Sequence, residues 1–598
     1  MRIPSRQIIV LTTWKFVIFA AGVGQLFSAE LINDHYPVAI EQTDDIVIVA
    51  NGRSGSVTTL DKRTWSVITE RKIGENIVDL LRVEDQFMAV DRGRNELITL
   101  RVGNRVEVIH RTPLPTSPVD IAYSSSHRLL TVTSLWSRQL TILGRAGEGN
   151  QFEIRKIIDL PFSPKCQCLV PDDRHLIVAD AFGGNLAVVD LASEKIRALR
   201  TLQASNIRGL SVSHDKKELL IAHQLMNEYV PTERARVFWG TVMSNILRAV
   251  SFKTLTKFEN DLTTQSTEYT DGVFRDGIHH WSLIPLGTSG DASGDPGEIA
   301  LSKSGQCVVA LSGVDEVAVR SGPLSPFVRL KSQRRPSAVA IDSRKGVAIV
   351  ANSLSSSLTI IELENKNTIS TISLGAKPEP TAISRGESLF FDARLSLDGW
   401  FSCHSCHTDG HSNGLLNDNF GDDNAGSPKR ILTLLGASET APWSWNGSQN
   451  NMHKQIAKSI ELTMRGEIDK MPVNEHSADI AAYIQTLKPP PALDVARRRV
   501  DSAKAERGRL VFESKGCKNC HQPSTFTSAK IYDVGLQDEL GRKKFNPPSL
   551  RSVSQHSSYF HDGRAKSLRA VLEEFKHPPG NNLTPQQRND LLTFLKQL

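Results

Sequence analysis

Methionine and cysteine are scarce in this chain of 598 residues, with seven of each. No methionine lies beyond Met471, so a late segment that needs a sulfur ligand cannot take a thioether from its own sequence. An odd cysteine count argues against a disulfide-built scaffold. There is also no dense stripe of Lys or Arg behind the net charge of +6, which argues against a nucleic-acid partner. The run Arg497-Arg498-Arg499 reads as solvated linker surface. Hydrophobic content of 39% with 23% charged residues describes a globular chain. Its length exceeds what one core can fill, so several domains are expected.

Four of the seven cysteines occur as Cys403-His404-Ser405-Cys406-His407 and Cys517-Lys518-Asn519-Cys520-His521. C-x-x-C-H is the attachment signature of c-type haem, in which two thiols bond the porphyrin and the histidine becomes the proximal iron ligand. With 17 histidines in the chain, chance supplies roughly 0.002 such patterns. A zinc ribbon would bring its two knuckles closer together and would not fix a histidine after each. Two covalently bound haems c are therefore expected, held by Cys403, Cys406 and His407 and by Cys517, Cys520 and His521. Cys166, Cys168 and Cys307 remain as buried thiols.

Residues 1–29 resemble an export signal: Arg2 and Arg6, an apolar stretch at Phe16–Val23, and an ending near Ser28-Ala29. Phe27 stands where a small residue is preferred before cleavage, which leaves an uncleaved membrane anchor as the alternative. A periplasmic or otherwise exported protein is expected.

From 37 to 389 a short apolar run, a small-residue turn, a second strand and a charged hairpin recur. The runs centre on Ala50, Val90, Val132, Ala179, Ala222, Leu311 and Ala351. Their spacing is about 40–47 residues except for one interval of about twice that, and four-stranded propeller blades recur at such a period. Seven blades fit, with an insertion at about 224–297 in the fifth; an eighth, degenerate blade in that gap is the alternative. Within the insertion, His279-His280-Trp281 reads as a structural or interdomain element. No blade shows a nucleophile–base or metal constellation. After 389 the pattern turns helical, with helices expected at Met452–Leu462, Ser477–Leu487, Val500–Lys515 and Pro585–Leu598, and with Pro489-Pro490-Pro491 as a linker. The fold class expected is multidomain: an all-β seven-bladed propeller, then two mainly α-helical c-type cytochrome domains at 390–491 and 492–598.

Two resemblances sharpen this reading. Val49-Ala50-Asn51-Gly52 and Ile349-Val350-Ala351-Asn352-Ser353, with the strands after them, resemble the YVTN-type bacterial propeller repeat, which specifies a fold and not a reaction. Residues 390–598 resemble the diheme cytochrome c peroxidase/MauG family. The resemblance rests on the haem motifs, on Pro442-Trp443-Ser444-Trp445-Asn446-Gly447, on Phe545-Asn546-Pro547-Pro548-Ser549-Leu550-Arg551 and on Tyr559-Phe560-His561-Asp562-Gly563-Arg564.

That family implies a first haem that meets hydrogen peroxide and a second that relays electrons from a donor such as a small cytochrome c or a cupredoxin. It implies an aromatic between the haems at Trp445, and it leaves open a bridging calcium ion. The family's helical Gln falls at Gln455; ten residues on, where the family has a Glu, stands Arg465. Met471-Pro472 resembles the distal-methionine loop of single-haem cytochromes c, and His411, His453 and Met464 are the other candidates near His407. Where relatives carry a distal Met or Tyr for the second haem stands Phe575, which cannot ligate iron, and His577 is the substitute; a surface histidine and a five-coordinate iron are the alternatives. Three functions follow: peroxide reduction, oxidation of a partner docked on the propeller, or a sensor or electron-transfer module without peroxidase activity.

Overall fold

The computed structural model describes residues 34–598 apart from 104, 147–150, 258–264, 267–268, 271–272, 275–282, 377–378, 423 and 581. The export segment and His279-His280-Trp281 lie outside the described residues. Among those described, no helix is long and apolar enough to cross a membrane.

Seven sheets, each built on four antiparallel strands in chain order, follow one another along the chain, and the strands are consecutive in all but the fifth. The opening strands of the sheets begin at Pro37, Ile77, Pro118, Pro164, Ser205, Pro296 and Pro336, and each touches the next, so that the ring closes from Pro336–Asp342 onto Pro37–Gln42. The second strand of a blade is buried along almost its whole length, as in Gln86–Asp91, Leu129–Ser134 and Val347–Asn352. A strand covered on both faces needs side chains that are apolar at every position, which explains the continuous runs in the sequence. Outermost strands such as Val67–Lys72 are exposed and charged. Apolar clusters fill the space between neighbouring blades, one of them joining Val47, Val49 and Leu60 of the first to Val347 and Ile349 of the seventh.

Among the described residues no strand is exchanged between the first and seventh blades. Closure instead uses the Ser337 hydroxyl donating to Pro37 O (3.0 Å), the Gln42 amide donating to Ile341 O (2.8 Å), and a buried Lys62–Asp342 ion pair at 2.6 Å.

The fifth sheet is Ser205–Val212, Glu218–Met226, Met243–Ser251 and Leu283–Pro285. Among the described residues the long gap therefore holds one blade. The insertion is narrower than expected, because Glu218–Met226 and Leu283–Pro285 are blade strands, and it is split in two by the blade strand Met243–Ser251. Its first part carries a short helix, Arg234–Phe238, that packs on the helical region.

The helical region opens with Ala382–Phe390, which packs against Val473–Ile484. Its other long helices are Ser502–Ser514 and Pro585–Leu595, which pack on each other. Gly508 allows that approach: a Cβ there would stand 2.1 Å from Asp590 O. The first cytochrome domain shares its core with the propeller, since Met226, Val237, Val242, Met243 and Ala292 join Trp400, Phe401, Ile431, Ile460, Met464 and Ile480 in one cluster. The second has its own core around Phe512, Tyr559, Leu572 and Leu591. The basic linker is not simply solvated. Arg497 Nε donates to Ser137 O at 2.8 Å, and Arg499 pairs with Asp159, so the run is pinned to the third blade.

Candidate functional site: two haem centres

The segment Cys403–Cys406 is one helical turn capped by Ser402. The two residues between its cysteines face the propeller. Asp295, 4% exposed, accepts from Ser405 Oγ at 2.6 Å and from the Ser402 hydroxyl, while Gln224 Nε2 donates to Ser405 Oγ at 3.1 Å. His404 lies 3.3 Å from Asp409, which pairs in turn with Arg208 of the propeller at 3.1 Å. Burial alone would raise the Asp409 carboxyl, but Arg208, Lys165 and His404 outweigh it and hold the group well below its usual range. Asp295 is lowered in the same sense, its burial outweighed by His404, Ser402 and Ser405.

With His404 and Ser405 turned to the propeller, Cys403, Cys406 and His407 line a cavity of about 320 Å³. Its wall is largely apolar, with Phe401, Ile431, Leu434, Ile456, Ile460 and Met464. His407 Nδ1 is bonded to Leu432 O at 2.8 Å, which orients the ring and leaves Nε2 for a metal. Burial lowers this imidazole to about 4, so it is neutral and ready to ligate. Two thiols, an oriented neutral imidazole and an apolar chamber fit a c-type haem.

Trp445 and Gln455 both line this cavity. Trp445 is 8% exposed, donates Nε1–H to Arg430 O at 2.7 Å and lies 6.4 Å from the His561 ring on the side of the second domain. Gln455 sits on the helix Met452–Lys458, which widens into a π-turn at Ser459–Thr463, and its amide donates to Ser459 Oγ at 3.3 Å. Arg465 and Met471 stand apart from this chamber. Arg465 is turned away by a positive φ of 55°, donates to Thr232 O of the propeller insertion and lies over the Phe420 ring. Met471 follows a short turn at Ile468–Lys470 and packs against the edge of the shared core. The methionines that do line the chamber are Met452 and Met464. His453 is exposed, and His411 is engaged by Thr433 Oγ1 and stacked on His556 at 5.1 Å.

The sequence did not point to Arg430 or His556. Both line the haem chamber and also a second cavity of about 430 Å³ between the propeller and the haem domains, where Arg138, Asp180 and Glu228 add charge. Among the described residues no carboxylate lines the haem chamber, and His556 is the one imidazole there besides His407. No regular signal marks His556, because it enters from a loop of the other domain.

At the second motif, Cys517–Asn519 is a short turn after the helix Ser502–Ser514. His521 Nδ1 is bonded to Phe526 O at 3.1 Å, and burial, with His577 as the next cause, lowers the ring to about 4. Phe575 packs against Phe560 at 5.4 Å, and the His577 ring lies 6.4 Å from that of His521. These residues also fit a c-type haem. Among the described residues no group of three or more His, Cys, Asp or Glu is placed to hold a metal ion.

Comparison with known proteins agrees with this geometry. Residues 380–495 match the family model of the di-haem cytochrome c peroxidases, and residues 505–598 match that of cytochrome c. The last third of the chain is a di-haem c-type tandem. The methylamine utilization protein MauG of Methylorubrum extorquens is 27% identical over 277 residues, which are 37% of this chain and 78% of that protein. The cytochrome c551 peroxidase of Nitrosomonas europaea is 24% identical over 36% of this chain and 78% of its own length. A solved structure of Kuenenia stuttgartiensis hydrazine synthase aligns with 57% of this chain and 99% of its own, at 16% identity and a TM-score of 0.47. The di-haem tandem binds two covalently attached haems c, and these relatives make it an oxidoreductase module carried on a seven-bladed propeller.

Proposed function

We propose that this protein is an exported di-haem peroxidase that reduces hydrogen peroxide at the first haem. Electrons enter through the second haem from a small cytochrome c or a cupredoxin, and the propeller serves as the docking platform for a partner protein. The observation that carries this reading is the chamber at His407, built between both cytochrome domains, in which Gln455, Ser459, Thr463, Arg430 and His556 place polar groups in a largely apolar wall. A haem bound there supplies the redox iron. The apolar wall excludes bulk water, Leu432 O keeps His407 oriented, and Gln455 holds an oxygen-bearing substrate by its amide. Overall, one peroxide takes two electrons and two protons and leaves as two waters, with two one-electron donors oxidised.

The test is steady-state turnover of the holoprotein with peroxide and a reduced cytochrome c. Two donors oxidised per peroxide, and a loss of about tenfold or more in kcat/KM in Gln455→Leu, support the reading. Haems whose spectra do not respond to peroxide in any redox state overturn it.

A second reading is an electron-transfer module without peroxidase activity: cleaving peroxide needs a group that moves a proton between its oxygens, and among the described residues no carboxylate lines the chamber. In the peroxidase reading His556 fills that role, and its replacement by Leu then lowers peroxide turnover while haem content stays at two.

A further inference from the structure

The segment after the helix Leu568–Glu573 does not end in an ordinary turn. Phe575 N–H donates to Ala570 O at 3.1 Å, His577 N–H donates to Val571 O at 3.0 Å, and Lys576 between them takes a left-handed φ of 48°. This widened turn sends two neighbours in different directions. Phe575 enters the core beside Phe560, and His577 is carried back over the second haem motif.

His577 has no evident reason to be buried there as protein alone. Its Nδ1 is buried without a hydrogen-bond partner, a placement that costs about 1–3 kcal/mol. No hydrogen bond joins its ring to His521, whose own Nδ1 is taken by Phe526 O. The two ring centroids are 6.4 Å apart with the planes at 74°, and Phe560 covers His577 from another side at 5.6 Å. An imidazole nitrogen sits about 2.0–2.1 Å from a bound first-row metal, and the centre of the ring lies about 1.2 Å behind that nitrogen. Two imidazoles on opposite sides of one iron therefore have centroids about 6.4 Å apart. Directly packed rings span about 4.5–7 Å, so the distance alone does not decide; it is joined by the lack of a hydrogen-bond partner at either ring nitrogen of His577 among the described residues, which leaves Nε2 for a metal.

We propose that His577 is the sixth ligand of the second haem, which is thereby closed as a bis-imidazole centre. A filled sixth position suits electron transfer and shuts out peroxide. Replacing the thioether used in comparable electron-transfer haems by an imidazole also lowers the reduction potential, since Met/His ligation raises it. The entry haem of the proposed peroxidase is then a low-potential relay, and exogenous ligands meet iron only at the first site. The inference rests on the assignment of the haems and not on peroxide being the substrate.

The experiment compares wild type with His577→Ala and His577→Met as holoproteins, with haem content checked by pyridine haemochrome. In oxidised wild type, electron paramagnetic resonance and the near-infrared ligand-field band show one bis-imidazole low-spin haem. In His577→Ala that signal disappears and the second haem binds carbon monoxide when reduced, while added imidazole restores the low-spin spectrum. In His577→Met the band moves to the thioether position, and the potential of one haem rises while the other stays. Should His577→Ala fail to retain haem, His577→Met still reads the ligand. Unchanged second-haem spectra and potentials in the variants overturn the proposal. Failure of the peroxidase reading leaves these spectral shifts in place and appears only as peroxide inertness.

Discussion

At the scale of single residues, the most unusual chemistry outside the haem sites lies on the propeller axis. Glu41, Asp79 and Glu298 stand on opening strands, and each accepts the backbone N–H of the next blade's opening strand: Arg82, Ile121 and Val339 respectively. Asp120 stands beside them. Burial, with Glu41 next to Asp79 and Asp79 next to Asp120 and Glu298, raises all four carboxyls, Asp79 to about 7 and Glu298 to about 8. A carboxyl raised in the folded state binds its proton more tightly than in the unfolded chain. Its stabilisation is full below the unfolded value near 4.5 and is lost as pH rises through about 8. Glu298→Gln keeps an acceptor for Val339 N–H without the titration. Its stability should match wild type near pH 5 and exceed it at pH 9 by on the order of 1–2 kcal/mol for these half-buried groups, read as a higher melting temperature at pH 9. Equal pH dependence in the two proteins would mean that Glu298 is ionised in the fold. The same scale shows what could be read from the chain. Cys403, Cys406, His407, Cys517, Cys520 and His521 are legible because covalent attachment demands adjacent residues in fixed order. His556 is not, because it reaches the chamber from a different domain than the helical segment that carries Gln455 and Met464, and only their spatial sum has chemical meaning.

At the scale of elements, the first haem turn owes its position to the propeller. Asp295 receives two serine hydroxyls from that turn, so Asp295→Ala leaves the Ser402 and Ser405 hydroxyls buried without that acceptor. Destabilisation of about 3 kcal/mol is expected from breaking such a buried charged network. The first haem's Soret band should broaden in the variant while the second haem's signals hold; identical loss at both haems would contradict the local role. Acid should act at the same place. Asp295 and Asp409 are lowered in the fold, so their stabilisation is present above the unfolded value near 4 and is lost as pH falls below it. A pH titration followed at the first haem should therefore show its transition before the propeller's far-ultraviolet signal changes. The blades were legible as elements because a buried second strand needs an unbroken apolar run. The docking of the haem turn was not, because Asp295 lies in a Gly/Ser/Asp-rich stretch whose composition signals only a loop. Similarly, Arg497 and Arg499 look solvated until the third blade supplies Ser137 O and Asp159.

At the scale of the whole molecule, the sequence suggests beads on a string, whereas the structure joins them. Trp400 sits at the seam: its Nε1 donates to Phe238 O, its carbonyl accepts from Asn245, and Gly240 approaches its ring so closely that a Cβ there would lie 2.7 Å away. Gly240 also has a φ of +64°, so Gly240→Val combines backbone strain with a clash, at a cost on the order of 2–4 kcal/mol. With one core serving the propeller and the first cytochrome domain, heat should unfold both in a single transition, so that the first haem's Soret band and the far-ultraviolet signal lose amplitude together. The second cytochrome domain has a separate core and is tied to the rest through Arg497, Arg499 and Gln555, whose amide donates to Trp136 O at 2.8 Å. Arg497→Met removes one of these ties. Its second haem should then lose ligation several degrees below the main transition while the first keeps its wild-type midpoint. A common downward shift of both haems would mean that the linker arginine holds the whole assembly and not the second domain alone. That distinction matters for function, because an electron path through Trp445 requires the second domain to stay seated against the first-haem chamber, which Phe545 and Asn546 of the second domain help to close.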